Sequence, residues 1–251
     1  IFLKTEEEII LLRAASQLAT RALIEVGRHV VPRLALSHLR NKVVNAVMRT
    51  VPTESNSGKE ALSSDTEFTF FVNGAYIEPS LEGECMLCEG DWLTVNCWVC
   101  LNGYYSFGAH TFIVGSSQDD EPMISTLRDM LRQVVRRASA GHSIKEMSRT
   151  VYSLHSHDPY VLQKTFGHGV GRNRVENPIL RMNPGVNDTV LLKEGMCLVI
   201  ALAFKHGRSH LIKPRLMHES TFHNPFVPFG TTVVVRPGRP EILTSFETIV
   251  K

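Results

Sequence analysis

The order of helical and strand-like segments occurs twice in this chain, and this repeat constrains the fold more than any other feature. Residues 5–114 and 122–250 each begin with a long helical pattern, continue with a shorter one and end in strand-like segments. Residue identity between the two halves is weak, so only the pattern repeats. The pattern predicts one α+β domain over residues 1–251, with a pseudo-twofold antiparallel sheet and helices packed on one face. We expect a ligand pocket between the two halves.

Capping and turn residues set the predicted element boundaries. Thr5 and Glu8 have the capping-box spacing before a helix predicted from Ile9 to Val26, and Gly27 is expected to end it. Asn102-Gly103 indicates a hairpin. The other predicted helices are residues 37–48, 122–140 and 143–154, and the predicted strands are residues 67–77, 92–100, 104–114, 196–204, 231–236 and 245–250.

Composition excludes several functional classes. The 251 residues carry a net charge of +2 and no Lys/Arg run, so we expect no nucleic-acid partner. The apolar runs are far shorter than the roughly 20 residues of a membrane span, so we expect no membrane partner. No signal-peptide pattern opens the sequence, and a cytoplasmic protein is expected.

Five cysteines are too few and too odd in number for a disulfide framework. The pairs Cys85-x-x-Cys88 and Cys97-x-x-Cys100 resemble zinc-ligand spacing. However, Cys97 and Cys100 fall in an alternating strand pattern, where residues three apart point to opposite faces. We therefore expect buried or half-buried thiols and a reducing environment, not a four-cysteine zinc site.

A glycine-rich stretch, residues 165–172 with the sequence Thr-Phe-Gly-His-Gly-Val-Gly-Arg, is the main candidate for a site. His168 lies between Gly167 and Gly169, and Gly171 follows. Glycine permits positive φ and close approach of a ligand or a second chain. One imidazole on such a tightly turned backbone is typical of a functional site.

Several motifs in order resemble the methionine aminopeptidase / creatinase family. They are Leu101-Asn102-Gly103-Tyr104-Tyr105, Thr111-Phe112-Ile113-Val114-Gly115, Gly167-His168-Gly169-Val170-Gly171, Glu194-Gly195-Met196 and Phe246-Glu247. The resemblance extends from the opening helix to Val250 and implies the pita-bread fold. The length and layout are most similar to the short methionine aminopeptidases.

The resemblance also implies two divalent metal ions on five ligands: two aspartates, one histidine and two glutamates. The matching positions here are Asn96, Phe107, His168, Ala201 and Glu247. Three of the five ligands are absent, because an amide is a weak ligand and phenyl or methyl groups bind no metal. We therefore expect no metal cofactor and no metal-dependent methionine removal, although one weakly held ion on His168 and Glu247 remains an alternative.

Other positions also depart from the family pattern. Val175 replaces the usual second histidine, and residues 70–79 contain Tyr76 but no histidine. His110 replaces the usual arginine before Thr-Phe. If the strands align as predicted, His110 and Glu176 face the pocket, although a surface or structural role is the more common one for such residues. Tyr76 is expected to supply a proton or a hydrogen bond. A loop near the pocket mouth is expected to carry His206, His210, His218 and His223.

Two functions remain open for this pocket. In the first, His168 and Glu247 form an acid/base pair of a metal-independent enzyme acting on a small, largely apolar carbonyl or amide substrate by hydrolysis, elimination or cyclisation. Asn96 would bind a carbonyl, Phe107 an apolar group, and Ala201 would provide room. The intact site glycines favour this reading slightly.

The alternative is a catalytically inactive, aminopeptidase-like pseudoenzyme that binds a peptide, a small ligand or a partner protein. His168 is then a remnant hydrogen-bonded to Glu247. In both cases the expected partner is a small-molecule or peptide-like ligand, and a homodimer is possible.

Overall fold

A computed structural model describes residues 1–51, 62–115, 122–155, 161–162, 164–183, 190–205 and 226–245. The helices are α1 Glu6–His29, α2 Leu36–Thr50, α3 Pro122–Arg136 and α4 Ile144–His155, and Pro79–Leu81 forms a short 3₁₀ turn. The strands are β1 Glu67–Val72, β2 Ala75–Tyr76, β3 Trp92–Leu101, β4 Tyr104–Ile113, β5 Val161–Leu162, β6 Thr165–Gly169, β7 Glu176–Arg181, β8 Cys197–Lys205, β9 Phe226–Val234 and β10 Glu241–Ile242.

The strands form one ten-stranded sheet in the order β2-β1-β3-β4-β9-β8-β6-β7, with β10 on β9 and β5 on β8. Every pairing between these strands is antiparallel. The halves of the predicted repeat meet where β4 pairs with β9, at Ala109 opposite Gly230. The α+β class and the antiparallel sheet are therefore confirmed.

Alternation along the strands separates a helix-packed face from the site face. In β3, Val95, Cys97 and Val99 join the main hydrophobic core, to which all four helices contribute. Trp98, between two of these residues, belongs to a smaller cluster with Phe107 and Ala201. The main core therefore supports the sheet from one face, while the smaller cluster lies on the other.

Several predicted boundaries differ from the observed ones. Thr5 and Glu8 form the expected capping box, but α1 continues through Gly27 to His29. A glycine within a helix costs only about 1 kcal/mol relative to alanine, and packing of the long buried face outweighs this cost. The predicted strand over residues 67–77 is a hairpin instead, because Asn73 and Gly74 adopt positive φ between β1 and β2.

The cysteines are all free. Cys97 is fully buried in the main core, and burial raises the pKa of its thiol well above the ordinary value. Within the described ranges, no cluster of three or more His, Cys, Asp or Glu side chains could hold a metal ion. In the same ranges, no helix has the length and apolarity needed to cross a membrane.

Candidate functional site

The glycine-rich stretch is a strand, not the tight turn that its composition suggested. His168 lies in β6, opposite Val199 of β8 and Ile179 of β7. A Cβ atom on Gly167 would lie 2.2 Å from the Val199 carbonyl oxygen. A Cβ on Gly169 would lie 2.5 Å from the Asn177 carbonyl oxygen. These two glycines are required because the flanking strands approach closely, and this packing fixes the position of the imidazole.

One nitrogen of His168 is engaged and the other is available. Nδ1 lies 2.8 Å from the carbonyl oxygen of Gly169, so the ring donates its N–H there and Nε2 carries the lone pair. Burial lowers the pKa of His168 and outweighs the opposing effect of this hydrogen bond. The imidazole is therefore a neutral hydrogen-bond acceptor at neutral pH.

An aromatic stack adjoins His168. Its ring lies nearly parallel to the Trp98 ring, with centroids 6.1 Å apart and planes at 8°. The Phe107 ring also packs against the Trp98 ring, with centroids 4.7 Å apart. Trp98 therefore links the imidazole to the phenyl ring across the middle of the sheet.

Asn96, Phe107 and Ala201 lie around this stack. The register joins Asn96 to Ala109, Ala109 to Gly230 and Gly230 to Ala201, so Asn96 and Ala201 belong to one row across the sheet. The side-chain oxygen of Asn96 is buried, with no hydrogen-bond partner among the described residues. The site thus contains a buried acceptor without a partner in the described part of the chain, beside apolar side chains.

Gly230 is a site residue that sequence reasoning missed. A Cβ atom placed on it would lie 2.6 Å from Cε1 of Phe107 and 3.0 Å from Cβ of Ala201. The phenyl ring therefore occupies the space that any side chain at position 230 would need. The available signal was a glycine within the β-branched and aromatic run of β9.

Glu247 lies outside the described residues, as do His206, His210, His218 and His223. At the last described residue before it, Ser245, the backbone N–H donates to Thr20 Oγ1 of α1 at 3.3 Å. The pairing of His168 with Glu247 stays a prediction.

His110 does not face the pocket, and that expectation was wrong. It is fully buried, with ring centroids 4.6 Å from both Phe112 and Phe229, which belong to the main core. The reason is strand alternation: Phe107 and Ala109 of β4 point to the smaller cluster, so His110 points to the opposite face.

Glu176 and Tyr76 have other surroundings than those predicted. Glu176 forms a buried ion pair with Lys4 and accepts a hydrogen bond from the backbone of Asn173 at 3.2 Å. Tyr76 is exposed on β2, beside Phe71, and lines a surface cavity of 340 Å³ next to α2. Glu176 is thus committed to a structural contact, while Tyr76 stands at the sheet margin.

Arg174, in the segment that joins β6 to β7, forms the rim of the site. Its Nη1 donates to Glu67 Oε2 at 2.9 Å, and its Nη2 donates to the carbonyl of Asp65. The guanidinium carbon lies 5.6 Å from the Trp98 ring centroid and 5.8 Å from that of Tyr105. Sequence reasoning did not identify this residue, because its contacts join distant segments.

A curled antiparallel sheet with helices on one face and a central site between two halves defines the pita-bread architecture. Comparison with known protein families matches residues 10–235 to metallopeptidase family M24. Since the match spans most of the chain, this protein belongs to that family.

Relatives and solved structures agree with this assignment. The methionine aminopeptidase of Clostridium perfringens is 25% identical over 248 residues, covering 97% of this chain and 98% of the relative. The structure of methionine aminopeptidase from Thermotoga maritima has a TM-score of 0.78 at 21% identity, with 98% of this chain and 99% of that chain covered. The prolidase from Pyrococcus furiosus has a TM-score of 0.71 at 20% identity, covering 97% of this chain and 65% of that chain.

The residues present do not fit the two-metal centre that the family resemblance implies. Paired divalent ions need several oxygen ligands to compensate their charge. At the matching positions stand an amide, a phenyl ring and a methyl group, and position 230, next to Ala201, is a glycine. His168 stands opposite Val199, two residues before Ala201 on β8, and within the described residues it adds one imidazole beside this row.

Proposed function

We propose that this M24 member uses its central pocket, without a metal ion, to bind an apolar, peptide-like ligand that carries an N–H donor. The observation that carries the proposal is the Phe107 ring, which fills the space next to Gly230 and packs on Trp98. A phenyl ring at this point favours apolar contacts and leaves no ligand for a cation.

The polar groups of the pocket favour an N–H donor. Asn96 offers a buried oxygen with no partner in the described part of the chain, and His168 offers Nε2. Leaving a buried acceptor unpaired costs about 1–3 kcal/mol. A ligand N–H that pairs with Asn96 recovers this energy, while Trp98 and Ala201 contact its apolar side chain.

Calorimetric titration with the neutral peptide N-acetyl-leucyl-glycinamide tests this proposal. We expect saturable binding by the wild type and roughly tenfold weaker binding by Asn96→Leu, which keeps the side-chain size and removes the acceptor. Asn45→Leu, on the exposed face of α2, is the matched control and should bind as the wild type does. Absence of saturable binding, or equal binding by wild type and Asn96→Leu, would refute the proposal.

The second candidate is a metal-independent enzyme on the same pocket, with Glu247 as the partner of His168. The fixed tautomer of His168 favours it, because Nε2 can accept a proton from the water molecule that attacks an amide carbonyl. The imidazolium then returns this proton to the nitrogen that leaves when the C–N bond breaks. Turnover of leucinamide and N-acetyl-leucinamide in EDTA, followed by mass spectrometry, tests this candidate. His168→Gln and Glu247→Gln should each lower the rate about a hundredfold or more. If the wild type turns over neither compound, the catalytic candidate is refuted and only the binding function remains.

A further inference from the structure

Arg174 brings together segments that are far apart in the sheet. Glu67 belongs to β1, near one margin of the strand order, whereas Arg174 precedes β7 at the other margin. Their ion pair therefore spans the curled sheet from one side to the other. Beneath it lies Trp98, the same ring against which His168 stacks.

The guanidinium is held in place by more than its ion pair. Two aromatic rings, Trp98 and Tyr105, lie within 6 Å of it, which is the range of a cation–π contact. Tyr105 is itself fixed, since its hydroxyl donates to Asp65 Oδ2 at 2.6 Å. The rings keep the planar donor fork of Arg174 at the pocket rim whichever carboxylate it binds.

The carboxylate that Arg174 now binds is weakly held. The side chains of Arg174 and Glu67 are 36% and 52% exposed, and ion pairs at such exposure contribute between about 0 and 1 kcal/mol. A ligand carboxylate can accept from Nη1 in place of Glu67, while Nη2 keeps its hydrogen bond to the Asp65 carbonyl. Replacing Glu67 in this pair is therefore inexpensive, and Glu67 returns to solvent when it is displaced.

We propose that Arg174 recognises a carboxylate of the ligand, in exchange for Glu67, so that the preferred ligand is a short peptide-like acid. This inference rests on the proposed binding function and adds the charge of the ligand to it. The apolar side chain and N–H occupy the pocket between Trp98, Asn96 and Ala201. The carboxylate lies at the rim, on the Arg174 side of the indole ring.

Two probes that differ only in charge test the inference: N-acetyl-leucyl-glycine and N-acetyl-leucyl-glycinamide. We expect the wild type to bind the acid about fivefold to tenfold more tightly than the amide. In Arg174→Gln the ratio of the two Kd values should fall to about 1, because the acid loses the charged partner that distinguishes it from the amide. Glu67→Gln should bind the acid more tightly than the wild type does, because the competing carboxylate is gone.

Arg172→Gln is the matched control. Arg172 lies two residues away, is exposed, and contacts Tyr104 and Glu8 instead of the rim. Its substitution should leave the acid-to-amide ratio at the wild-type value. The thermal unfolding midpoint of each variant, measured in parallel, shows whether the protein is folded.

The outcomes separate the two proposals. If the acid and the amide bind equally well to the wild type, or if Arg174→Gln keeps the preference, the role of Arg174 is refuted while the pocket stands. If neither probe binds, the proposed function fails and this inference fails with it. Added salt should also reduce the acid-to-amide ratio, since an exposed ion pair is screened.

Discussion

At the scale of single residues, Phe107 and Gly230 depend on each other. The ring of Phe107 fills the volume above Gly230, so position 230 has no room for a side chain while Phe107 is present. This contact makes the centre of the site apolar.

The dependence of Phe107 on Gly230 can be measured with a double-mutant cycle. Gly230→Ala should destabilise the protein by about 1–3 kcal/mol, because the new methyl group overlaps the ring of Phe107. In a Phe107→Ala background the same substitution should cost much less. Urea unfolding of the four proteins gives the coupling energy, and equal costs in both backgrounds would show that the two positions do not interact.

The protonation of His168 gives a second prediction at this scale. Since burial lowers its folded pKa, His168 should titrate below the unfolded-chain value of about 6.5 in an NMR experiment. The unfolded chain then binds more protons just below pH 6.5. The stability due to neutral His168 is thus complete above about pH 6.5 and decreases as the pH falls through the folded pKa.

In His168→Gln, the free energy of unfolding should lose the part of its decrease at low pH that is due to this imidazole. A midpoint above about 6.5 would instead indicate a carboxylate beside the ring and would support the pairing with Glu247.

Among the candidate site residues, sequence reasoning placed three where a motif fixed the register, and their roles stay predictions. Asn96, Phe107 and Ala201 lie around the row that the motif spacing implied, because the hairpin at Asn102-Gly103 has a regular ladder. It was wrong for His110. This residue is three positions after Phe107 on the same strand, so its side chain points to the opposite face of the sheet and is buried there. Gly230 and Arg174 were missed because their roles come from contacts between distant strands.

At the scale of elements, the segment before α1 is tied to the turn before β8 and to the start of β7. Lys4 donates its backbone N–H to Gly195 at 2.8 Å, and its ammonium group pairs with Glu176 in the interior. Glu176 also accepts from the backbone of Asn173, one residue before Arg174. This ion pair therefore supports the segment that carries the rim arginine.

Breaking the pair from one side should be costly. Lys4→Met or Glu176→Gln should each destabilise the protein by about 3–5 kcal/mol, since the remaining group loses its buried partner. The double variant Lys4→Met/Glu176→Gln should lose clearly less stability than the sum of the two single variants. Asp129→Asn, in an exposed pair on α3, is the control and should change stability by at most about 0.5 kcal/mol in denaturant unfolding. Additive losses in the double variant would contradict the pairing.

Local signals predicted helices better than strands. The capping box of α1 and the serine-led start of α4 involve contacts within one segment, so they could be identified from the sequence. The strand β6 was not predicted, because its glycines are explained only by the carbonyl groups of β7 and β8. The strand β7 has no strong local pattern and was not predicted either.

At the scale of the whole molecule, the pita-bread sheet is retained while the donor set at its centre has changed. The fold and the family assignment cover nearly the entire chain, and the predicted repeat of two halves matches the seam between β4 and β9. The chemistry at the centre of the sheet depends on individual side chains. The fold does not determine which side chains stand there.

Metal binding tests the central claim most directly. The purified protein should be stripped with chelator and titrated with Co²⁺ or Mn²⁺, with the thermal unfolding midpoint and the visible spectrum of Co²⁺ as readouts. We predict no saturable binding and an unchanged midpoint, whereas an ion present at about 100 times its Kd would stabilise the protein by about 2.7 kcal/mol. Stoichiometric, tight binding of one or two ions, with a matching rise in the unfolding midpoint, would contradict a metal-independent pocket.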